Sequence, residues 1–311
     1  MKSQHWYIIV NPRAGNWAVQ NSWSKLEKLI RTYLSVAEFV FTDGPQHAIQ
    51  LSKTAVENGY KKIMAIGGDG TGHEVANGIL GQSQFPSSSI VLALLPIGTG
   101  NDWIKSHLPS LQAEKVLKAI KTEQTCLQDV GKVQYLSDGV AQERFFINVA
   151  GLAYDGYIGK KVAEANARKG KLAYLWQVFH SLMEYDLRKA RVTLGKQVVE
   201  DYFYTINAGI CRYSGGGMQL VPHAVLDDGL LAITLAGALK KWEVLLQTPK
   251  FYNGQIGRHQ KVTLLQSAHV KIEAIPGQKP TLLEADGEFL GETPVSISIL
   301  KNALQVICHR E

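Results

Sequence analysis

Apolar runs and amphipathic segments alternate along roughly the first 130 residues. The compact apolar runs, which predict buried strands, are residues 6–10, 36–41, 62–66 and 89–96. Helices are predicted over 17–34, where apolar residues are spaced by three and four positions, and over 46–58, 71–80 and 111–122. A further helix is predicted directly after "IGTGND". Strands that are apolar throughout and alternate with helices are typical of a parallel sheet covered on both faces. We therefore predict an α/β domain with a doubly wound parallel sheet over residues 1–130.

The pattern changes after about residue 125 to short apolar segments separated by turn residues. Only two helical stretches are predicted there, over about 154–167 and 171–186. Short strands at this spacing are typical of an antiparallel β domain, here of the sandwich type, over residues 131–296. The periodicity leaves open whether residues 297–311 rejoin the first domain.

Three glycine-rich loops follow predicted strands of the first domain. They are "NPRAGN" (11–16), "GGDGTG" (67–72) and "PIGTGND" (96–102). In parallel sheets ligands bind beyond the carboxyl ends of the strands, and such loops offer backbone N–H groups to phosphate. The three loops together therefore indicate a nucleotide site. The chain has no GxxxxGK[ST] and no HRDxxxxN or DFG, which excludes P-loop proteins and protein kinases. No GxGxxG follows its first strand, so a dinucleotide-binding Rossmann site is unsupported.

Two aspartates stand within these loops, Asp69 in the second and Asp102 in the third. A carboxylate beside phosphates is repulsive unless a cation lies between them, which indicates Mg²⁺. The alternative is that each aspartate caps the helix that follows it. Two acidic loops at equivalent ends of adjacent strands favour the metal.

Composition and charge add few constraints. The chain has 311 residues, 45% apolar and 19% charged, as in ordinary globular proteins. Its net charge of +6 fits an anionic partner such as a nucleotide or a membrane surface. A nucleic-acid partner is not expected, because the chain lacks a clustered basic stripe with interleaved aromatic residues.

The cellular compartment is predicted from the cysteines and from the apolar segments. Cys126, Cys211 and Cys308 are far apart and include no CxxC, so we expect free thiols in a reducing cytoplasm. The N-terminus does not resemble a signal peptide, and no segment approaches the roughly 20 apolar residues of a membrane span. We expect a cytoplasmic protein that associates peripherally with the inner face of the membrane.

Taken together, the motifs resemble the diacylglycerol kinase catalytic family, and within it the soluble bacterial lipid kinases. The likeness begins with "IIVNPRAGN", "GGDGTGHEVANGI" and "LLPIGTGNDW". It continues in the expected order with "DVGKV" (129–133), "NVAGLAYDG" (148–156), "PHAVLDDGLLAI" (222–233) and "EADGE" (284–288). GGDGT alone also occurs in NAD kinases and, in variant form, in phosphofructokinases. GTGND, DDG and DGE make the resemblance specific, and it covers nearly the whole chain.

The resemblance implies a Rossmann-like first domain of the phosphofructokinase and NAD kinase type, with nucleotide and lipid meeting in a cleft beside the β domain. It implies transfer of phosphate from ATP, with Mg²⁺, to a lipid hydroxyl at the membrane surface, diacylglycerol being the first candidate. The residues that match the nucleotide site are Asn11, Gly15, Gly67, Gly68, Gly70, Thr71, Glu74, Gly98, Thr99 and Asn101.

The resemblance also implies catalytic roles for four acidic residues, Asp69, Asp102, Asp129 and Glu288. Asp129 would support the metal network. Glu288 would be the general base that takes the proton of the lipid hydroxyl. The alternative for Glu288 is that "ADGE" is simply a hairpin turn.

A separate structural Mg²⁺ site is implied by "AVLDDGLL". Its ligands would be the Asp228 side chain and the backbone carbonyls of Val225 and Leu230. The alternative is a simple DG turn, and both interpretations stay open.

The sequence departs from the family at Ala14, where members often have Ser, and at "NDWIKSH", where many have an Ala-Arg pair. Both departures leave the nucleotide and lipid preferences open. The aromatic segment 169–182, flanked by basic residues, is either a membrane interface or a core helix. The rival functions are an NAD kinase-like phosphotransferase and a catalytically silent nucleotide- or lipid-binding protein. The oligomeric state stays open, a homodimer included.

Overall fold

The protein is described by a computed structural model, which covers residues 2–34, 37–164 and 180–309. The chain forms two compact units: unit 1 contains residues 1–130 and 301–311, and unit 2 contains residues 131–300. The aromatic segment 169–182 and the helix predicted over 171–186 lie largely outside the described residues, although residues 180–184 are helical. No helix in the described part of the chain is long and apolar enough to cross a membrane.

Unit 1 is built on a parallel sheet. Its strands are β1 (Trp6–Val10), β2 (Ala37–Phe41), β3 (Lys62–Gly67), β4 (Val91–Pro96) and the end of the last strand, β17 (Glu288–Ile307). They lie in the order β2-β1-β3-β4-β17, and every neighbouring pair is parallel. Ile8, Ile63 and Leu92 are fully buried, as expected for strands that are covered on both faces.

Five α-helices in the described residues of unit 1 accompany this sheet. They are α1 (Ala14–Tyr33), α2 (His47–Glu57), α3 (Asp69–Leu80), α4 (Asp102–Lys105) and α5 (Ala113–Thr122). Helix α2 packs on α3, and α1 contacts α5. At the start of α1 three consecutive residues, 15–17, have left-handed backbone angles, so the regular helix begins only after Trp17. This kink belongs to the first glycine-rich loop.

Unit 2 is antiparallel. Its further strands are β5 (Thr125–Ser137, which begins in unit 1), β6 (Val140–Phe146), β7 (Val149–Ala153), β8 (Arg188–Leu194), β9 (Gln197–Phe203), β10 (Thr205–Gly209), β11 (Tyr213–Ser214), β12 (Met218–Gln219), β13 (Leu231–Ala236), β14 (Val262–Ser267), β15 (His269–Ala274) and β16 (Leu282–Ala285). The central order is β14-β13-β10-β7-β16-β17, and β15 joins β17 to β8 and β9. The predicted fold class, a parallel α/β domain followed by an antiparallel β domain, is confirmed.

In the described residues of unit 2, the helices besides the helical residues 180–184 are α6 (Tyr154–Glu164) and α7 (Lys241–Tyr252). The prediction of only two helical stretches in this half was wrong, because α7 was missed. Its apolar residues lie on both faces: Val244 is buried, whereas Leu246 is exposed. An apolar stripe on one side is therefore lacking, and Pro249 within the helix further weakens the pattern.

Gly78 allows the close contact between α2 and α3. A Cβ atom built on Gly78 would lie 1.9 Å from Ser52 Oγ and 2.3 Å from the Ile49 carbonyl oxygen. The latter belongs to backbone and cannot move without the helix. At Gly72, one and a half turns earlier on α3, the nearest atom to such a Cβ is Leu94 Cδ2 at 3.6 Å, an ordinary contact.

We expect Gly78→Ala to lower the free energy of unfolding by about 2 kcal/mol, because the added methyl group forces α2 and α3 apart. Gly72→Ala is the matched control, and its effect should be neutral or stabilising by up to about 1 kcal/mol, since alanine favours helix. Urea unfolding of both variants tests this. Equal destabilisation by the two substitutions would contradict the packing argument.

His107 is buried in unit 1 against Trp103, with the ring centroids 4.8 Å apart. Burial lowers the pKa of His107 from 6.5 to about 4. The unfolded chain therefore binds a proton at this histidine as the pH falls below about 6.5, while the folded chain stays neutral until about 4. The stability that neutral His107 contributes is fully present above about pH 6.5, and it is lost as the pH falls from about 6.5 to about 4.

We expect wild-type protein to lose about 2 kcal/mol more stability than His107→Leu between about pH 7 and about pH 5. Chemical unfolding at the two pH values measures the difference. His309→Gln, which changes an exposed histidine, is the control and should follow wild type. Identical pH dependence of wild type and His107→Leu would show that His107 is not the linked group.

Candidate active site

One cavity of about 380 Å³ lies at the carboxyl ends of strands β1 to β4 in unit 1. This volume is in the range of small-molecule sites. Eight of the ten residues predicted for the nucleotide site line it: Asn11, Gly15, Gly68, Gly70, Thr71, Glu74, Gly98 and Thr99. The other two, Gly67 and Asn101, adjoin these residues in the same loops. The loops, which are separate in the sequence, thus form one continuous wall of this cavity.

The loops after β3 and β4 touch each other through their backbones. A Cβ atom on Gly98 would lie 2.9 Å from the Cα atom of Gly68, and one on Gly67 would lie 2.3 Å from Thr71 Oγ1. The Ile97 amide donates to the Gly67 carbonyl at 2.7 Å, which extends the strand pairing into the loops. Glycine is needed at Gly67 and Gly98 because there is no space for a side chain.

Asn11 connects the first loop to the second. Its Nδ2 donates to Thr71 Oγ1 at 3.1 Å, and its Oδ1 accepts from the Arg13 amide at 3.0 Å. Because Thr71 Oγ1 accepts this hydrogen bond, its own hydrogen can be donated to an acceptor in the cavity, such as a phosphate oxygen.

The carboxylates of Asp69 and Asp102 converge on Gly100. A Cβ atom on Gly100 would lie 3.0 Å from Asp69 Oδ2 and 3.4 Å from Asp102 Oδ2. Asp69 Oδ1 accepts from the Trp103 amide at 3.1 Å, and Asp102 Oδ1 pairs with Lys105 Nζ at 2.6 Å. Asp69 therefore caps α4, the neighbouring helix, rather than its own.

Neither aspartate is the N-cap residue of its own helix. Those positions are held by Gly68 and Asn101, without side-chain capping hydrogen bonds. The helix-capping alternative therefore accounts for one oxygen of Asp69 and leaves the convergence on Gly100 unexplained.

The residues around Gly100 fit a magnesium ion. Asn101 Oδ1 is a buried acceptor without a hydrogen-bond partner, while Asn101 Nδ2 donates to the Gly98 carbonyl at 3.0 Å. Within the described ranges no group of three or more His, Cys, Asp or Glu side chains could hold a metal by itself. The donor set is therefore that of an ion held by one or two carboxylates together with phosphate oxygens and water.

Glu74 lines the cavity and binds backbone amides at the start of α2. Its Oε1 accepts from the Gln46 amide at 2.9 Å and its Oε2 from the Ala48 amide at 3.1 Å. These amides belong to the first turn of α2 and the residue before it. Glu74 thereby holds the loop after β2 in place, which is a positioning contribution to the site.

Sequence reasoning missed this fourth loop. Thr42, Gly44, Pro45 and Ala48 also line the cavity. The signal was present, since "TDGP" follows a predicted strand just as the other loops do, but it lacks a glycine cluster. Arg13 was missed as well. Arg13 lines the cavity, and its guanidinium carbon lies 5.6 Å from the Trp17 ring centroid.

Glu288 lies in unit 2, at the first position of β17. Asp286 and Gly287, with φ angles of 50° and 85°, form the two-residue turn that joins β16 to β17. Glu288 Oε2 pairs with Arg144 at 3.1 Å. The turn interpretation of "ADGE" is therefore correct for the backbone and does not conflict with a chemical role for the Glu288 side chain.

The carboxyl groups of Asp286 and Glu284 stabilise this turn by accepting hydrogen bonds from backbone amides. Asp286 accepts hydrogen bonds from the amides of Ile147, Asn148 and Val149 at 2.8–3.1 Å. Glu284 Oε2 accepts from the Gly287 amide at 2.8 Å. The backbone that carries Glu288 is consequently fixed by four charge-assisted or buried hydrogen bonds.

Burial raises the pKa of Glu284 well above its ordinary value, and the nearby Asp155 carboxylate raises that pKa further. Both groups pack on Gly151, whose Cβ would lie 2.7 Å from Glu284 Oε1 and 3.1 Å from Asp155 Oδ2. Burial also raises the pKa of Asp155, although Thr205 and Asn207 donate to its carboxylate. Glu284 therefore keeps its proton to a higher pH than an exposed glutamate.

Asp129 is buried in β5, where its Oδ1 accepts from the Asn302 amide at 2.7 Å. Asn302 has a φ of 52°, so Asp129 fixes an irregular point of the last strand. Asp129 does not line the cavity. Its predicted support of a metal network stays a prediction.

The residues of the predicted structural metal site form a turn in unit 2, directly before β13. Asp228 Oδ1 accepts from the Leu230 amide at 2.9 Å, and its Oδ2 from Gln266 at 3.3 Å. This is the geometry of an Asx-type turn. Metal binding by Asp228, Val225 and Leu230 stays a prediction.

Two family models match the chain. The diacylglycerol kinase catalytic domain matches residues 5–133. The YegS C-terminal NAD kinase beta sandwich-like domain matches residues 148–308, more than half of the chain. The two matches follow each other in the order that the sequence motifs predicted.

Whole-length relatives agree with the family models. The chain is 27% identical over 303 residues to a diacylglycerol kinase of Mycobacterium tuberculosis, which covers 96% of this chain and 93% of that protein. It is 28% identical over 308 residues to a diacylglycerol kinase of Staphylococcus haemolyticus, covering 96% and 86%.

Solved structures share the fold. A crystal structure of a diacylglycerol kinase from Bacillus anthracis matches with a TM-score of 0.72 at 21% identity, over 99% of this chain and 98% of that one. Yeast NADH kinase in complex with NADH matches at 0.50 and 9% identity, over 98% and 84%. By the two family models, which match residues 5–133 and 148–308, the chain belongs to the diacylglycerol kinase catalytic family.

Proposed function

We propose that this protein transfers the γ-phosphate of Mg-ATP to the hydroxyl group of diacylglycerol, which it reaches at a membrane surface. The observation that carries the proposal is the convergence, in unit 1, of three glycine-rich loops on one cavity, with two carboxylates meeting at Gly100. Diacylglycerol kinases at 27% and 28% identity support the choice of lipid.

Unit 1 binds the nucleotide in this proposal. The backbone amides of the loops after β1, β3 and β4 and the Thr71 hydroxyl donate to phosphate oxygens. Arg13 adds a positive charge at the wall of the same cavity. These groups hold the phosphates in one place and so supply the positioning that phosphoryl transfer mainly requires.

Asp69, Asp102 and Asn101 would hold magnesium, which when bound neutralises charge on the phosphates. The Trp103 amide fixes Asp69, and Lys105 fixes Asp102. Both carboxylates are therefore oriented before any ligand arrives. This arrangement avoids the energetic cost of ordering them during the reaction.

Glu288 accepts the proton from the lipid hydroxyl in this proposal. The hydroxyl oxygen forms a bond to the γ-phosphorus, the bond from the γ-phosphorus to the bridging oxygen breaks, and ADP leaves. Arg144 orients the carboxylate, and the turn at Asp286 and Gly287 fixes its backbone. A general base needs such fixed geometry within hydrogen-bond reach of its proton.

The substrate is tested by transfer of labelled γ-phosphate to a panel of lipids in mixed micelles. The panel contains diacylglycerol, phosphatidylglycerol, a ceramide and a polyprenol, and NAD is a parallel acceptor. We expect label on diacylglycerol. Label on another lipid alone would replace the substrate but keep the lipid kinase. Label on NAD alone would make the protein a nucleotide kinase, and no label with ATP still bound would make it a silent binder.

We expect Asp69→Asn to lower kcat by about a hundredfold or more, because the charge facing the metal is lost. The fold should survive, since Asn Oδ1 can still accept from the Trp103 amide. Steady-state kinetics and thermal unfolding measure the two effects. Asp138→Asn is the control. Asp138 is an exposed turn residue with a left-handed backbone conformation, which asparagine also tolerates. An unchanged kcat in Asp69→Asn would remove Asp69 from the mechanism.

A further inference from the structure

Helix α7 in unit 2 has an apolar outer face. Leu246 is 67% exposed, Trp242 57% and Leu245 45%. These residues share one side of the helix with exposed Pro249, because positions 242, 245, 246 and 249 recur at helical spacing. Tyr252, 49% exposed, lies at the margin of the same side. Isolated exposed apolar residues are common, but a contiguous face of this kind marks a contact surface.

The helix does not need this face for its own packing. Its opposite side inserts Val244 and Phe251 into a buried cluster that includes Tyr204, Leu239 and Ile256. Position 183 extends the exposed surface: the Met183 side chain is 50% exposed, and the Lys241 ammonium donates to the Met183 carbonyl. The outer face is therefore rigidly presented by an anchored helix.

Positive charge flanks the apolar face. Lys241 and Lys250 lie on opposite sides of the stripe by helical spacing, and Lys240 is exposed at the start of the helix. The one acidic residue of α7, Glu243, pairs with Lys261 at 2.8 Å and accepts from the Lys240 amide at 2.6 Å. The charge left at the edges of the face is therefore positive.

We propose that the outer face of α7 is a docking surface for an anionic lipid bilayer. Trp, Leu and Tyr side chains insert below the headgroups, and the flanking lysines keep their ammonium groups among lipid phosphates. A protein partner of ordinary charge would not need lysines on both sides of the stripe. The inference rests on the proposed function for its purpose, because a kinase that acts on a lipid in a bilayer must first reach that bilayer.

The test is sedimentation with vesicles of phosphatidylcholine alone or containing phosphatidylglycerol. We expect wild type to bind the phosphatidylglycerol vesicles. The double variant Trp242→Ser with Leu246→Ser should bind them at least about tenfold more weakly. Val198→Ser, on β9 of the same unit and 57% exposed like Trp242, is the matched control and should bind as wild type does. Thermal unfolding verifies that each variant folds.

Two further measurements separate the components of binding. Lys240→Glu with Lys250→Glu should abolish the preference for phosphatidylglycerol vesicles, and added salt should weaken wild-type binding. Phosphorylation of a short-chain diacylglycerol dispersed as monomers should be unchanged in the serine double variant, while phosphorylation in vesicles should fall in proportion to binding.

Unchanged vesicle binding by the folded serine variant would overturn the inference, whether or not the lipid kinase activity stands. A drop in the solution molar mass of that variant would also overturn it, because the face would then contact a second copy of the chain. Loss of vesicle binding in a protein that phosphorylates no lipid would support the docking surface and reject the proposed function.

Discussion

The contact between two backbone segments, Gly68 after β3 and Gly98 after β4, is the constraint on which the candidate active site depends. Parallel pairing aligns the two strand ends, with Gly67 opposite Pro96. The loops that leave them then meet where a Cβ on Gly98 would lie 2.9 Å from the Gly68 Cα. Side chains are excluded from this contact, so the two loops approach each other through their backbones. The same proximity allows carboxylates from both loops to meet at Gly100.

Much of unit 1 could be predicted because buried parallel strands and their loops carry local signals. Strand β1 is predicted at its exact bounds, since its five residues are apolar or aromatic throughout. The loop that contains Thr42 and Gly44 was not predicted as part of the site. Its membership depends on β2 pairing with β1 and on Glu74 binding two amides near α2, and both are tertiary facts that no local pattern encodes.

Helix α7 shows the opposite failure, in which the local signal was misleading. Periodicity detects a helix when one face is apolar and the other polar. In α7, Val244 and Phe251 face the core while Trp242 and Leu246 face outward, so the two apolar sets overlap in sequence. A helix that contacts two apolar environments is expected to have this pattern. The feature that concealed the helix from sequence analysis is therefore also the feature that carries the docking inference.

The turn before Glu288 shows why a structural and a chemical interpretation of one motif need not compete. "ADGE" is a hairpin turn, and Asp286 binds three amides while Glu284 binds that of Gly287. A general base must be held within narrow limits of position, which a mobile loop does not provide. The turn gives the chain that rigidity at the cost of burying Glu284 beside Asp155. The raised pKa of both carboxyl groups is the physical consequence of that burial.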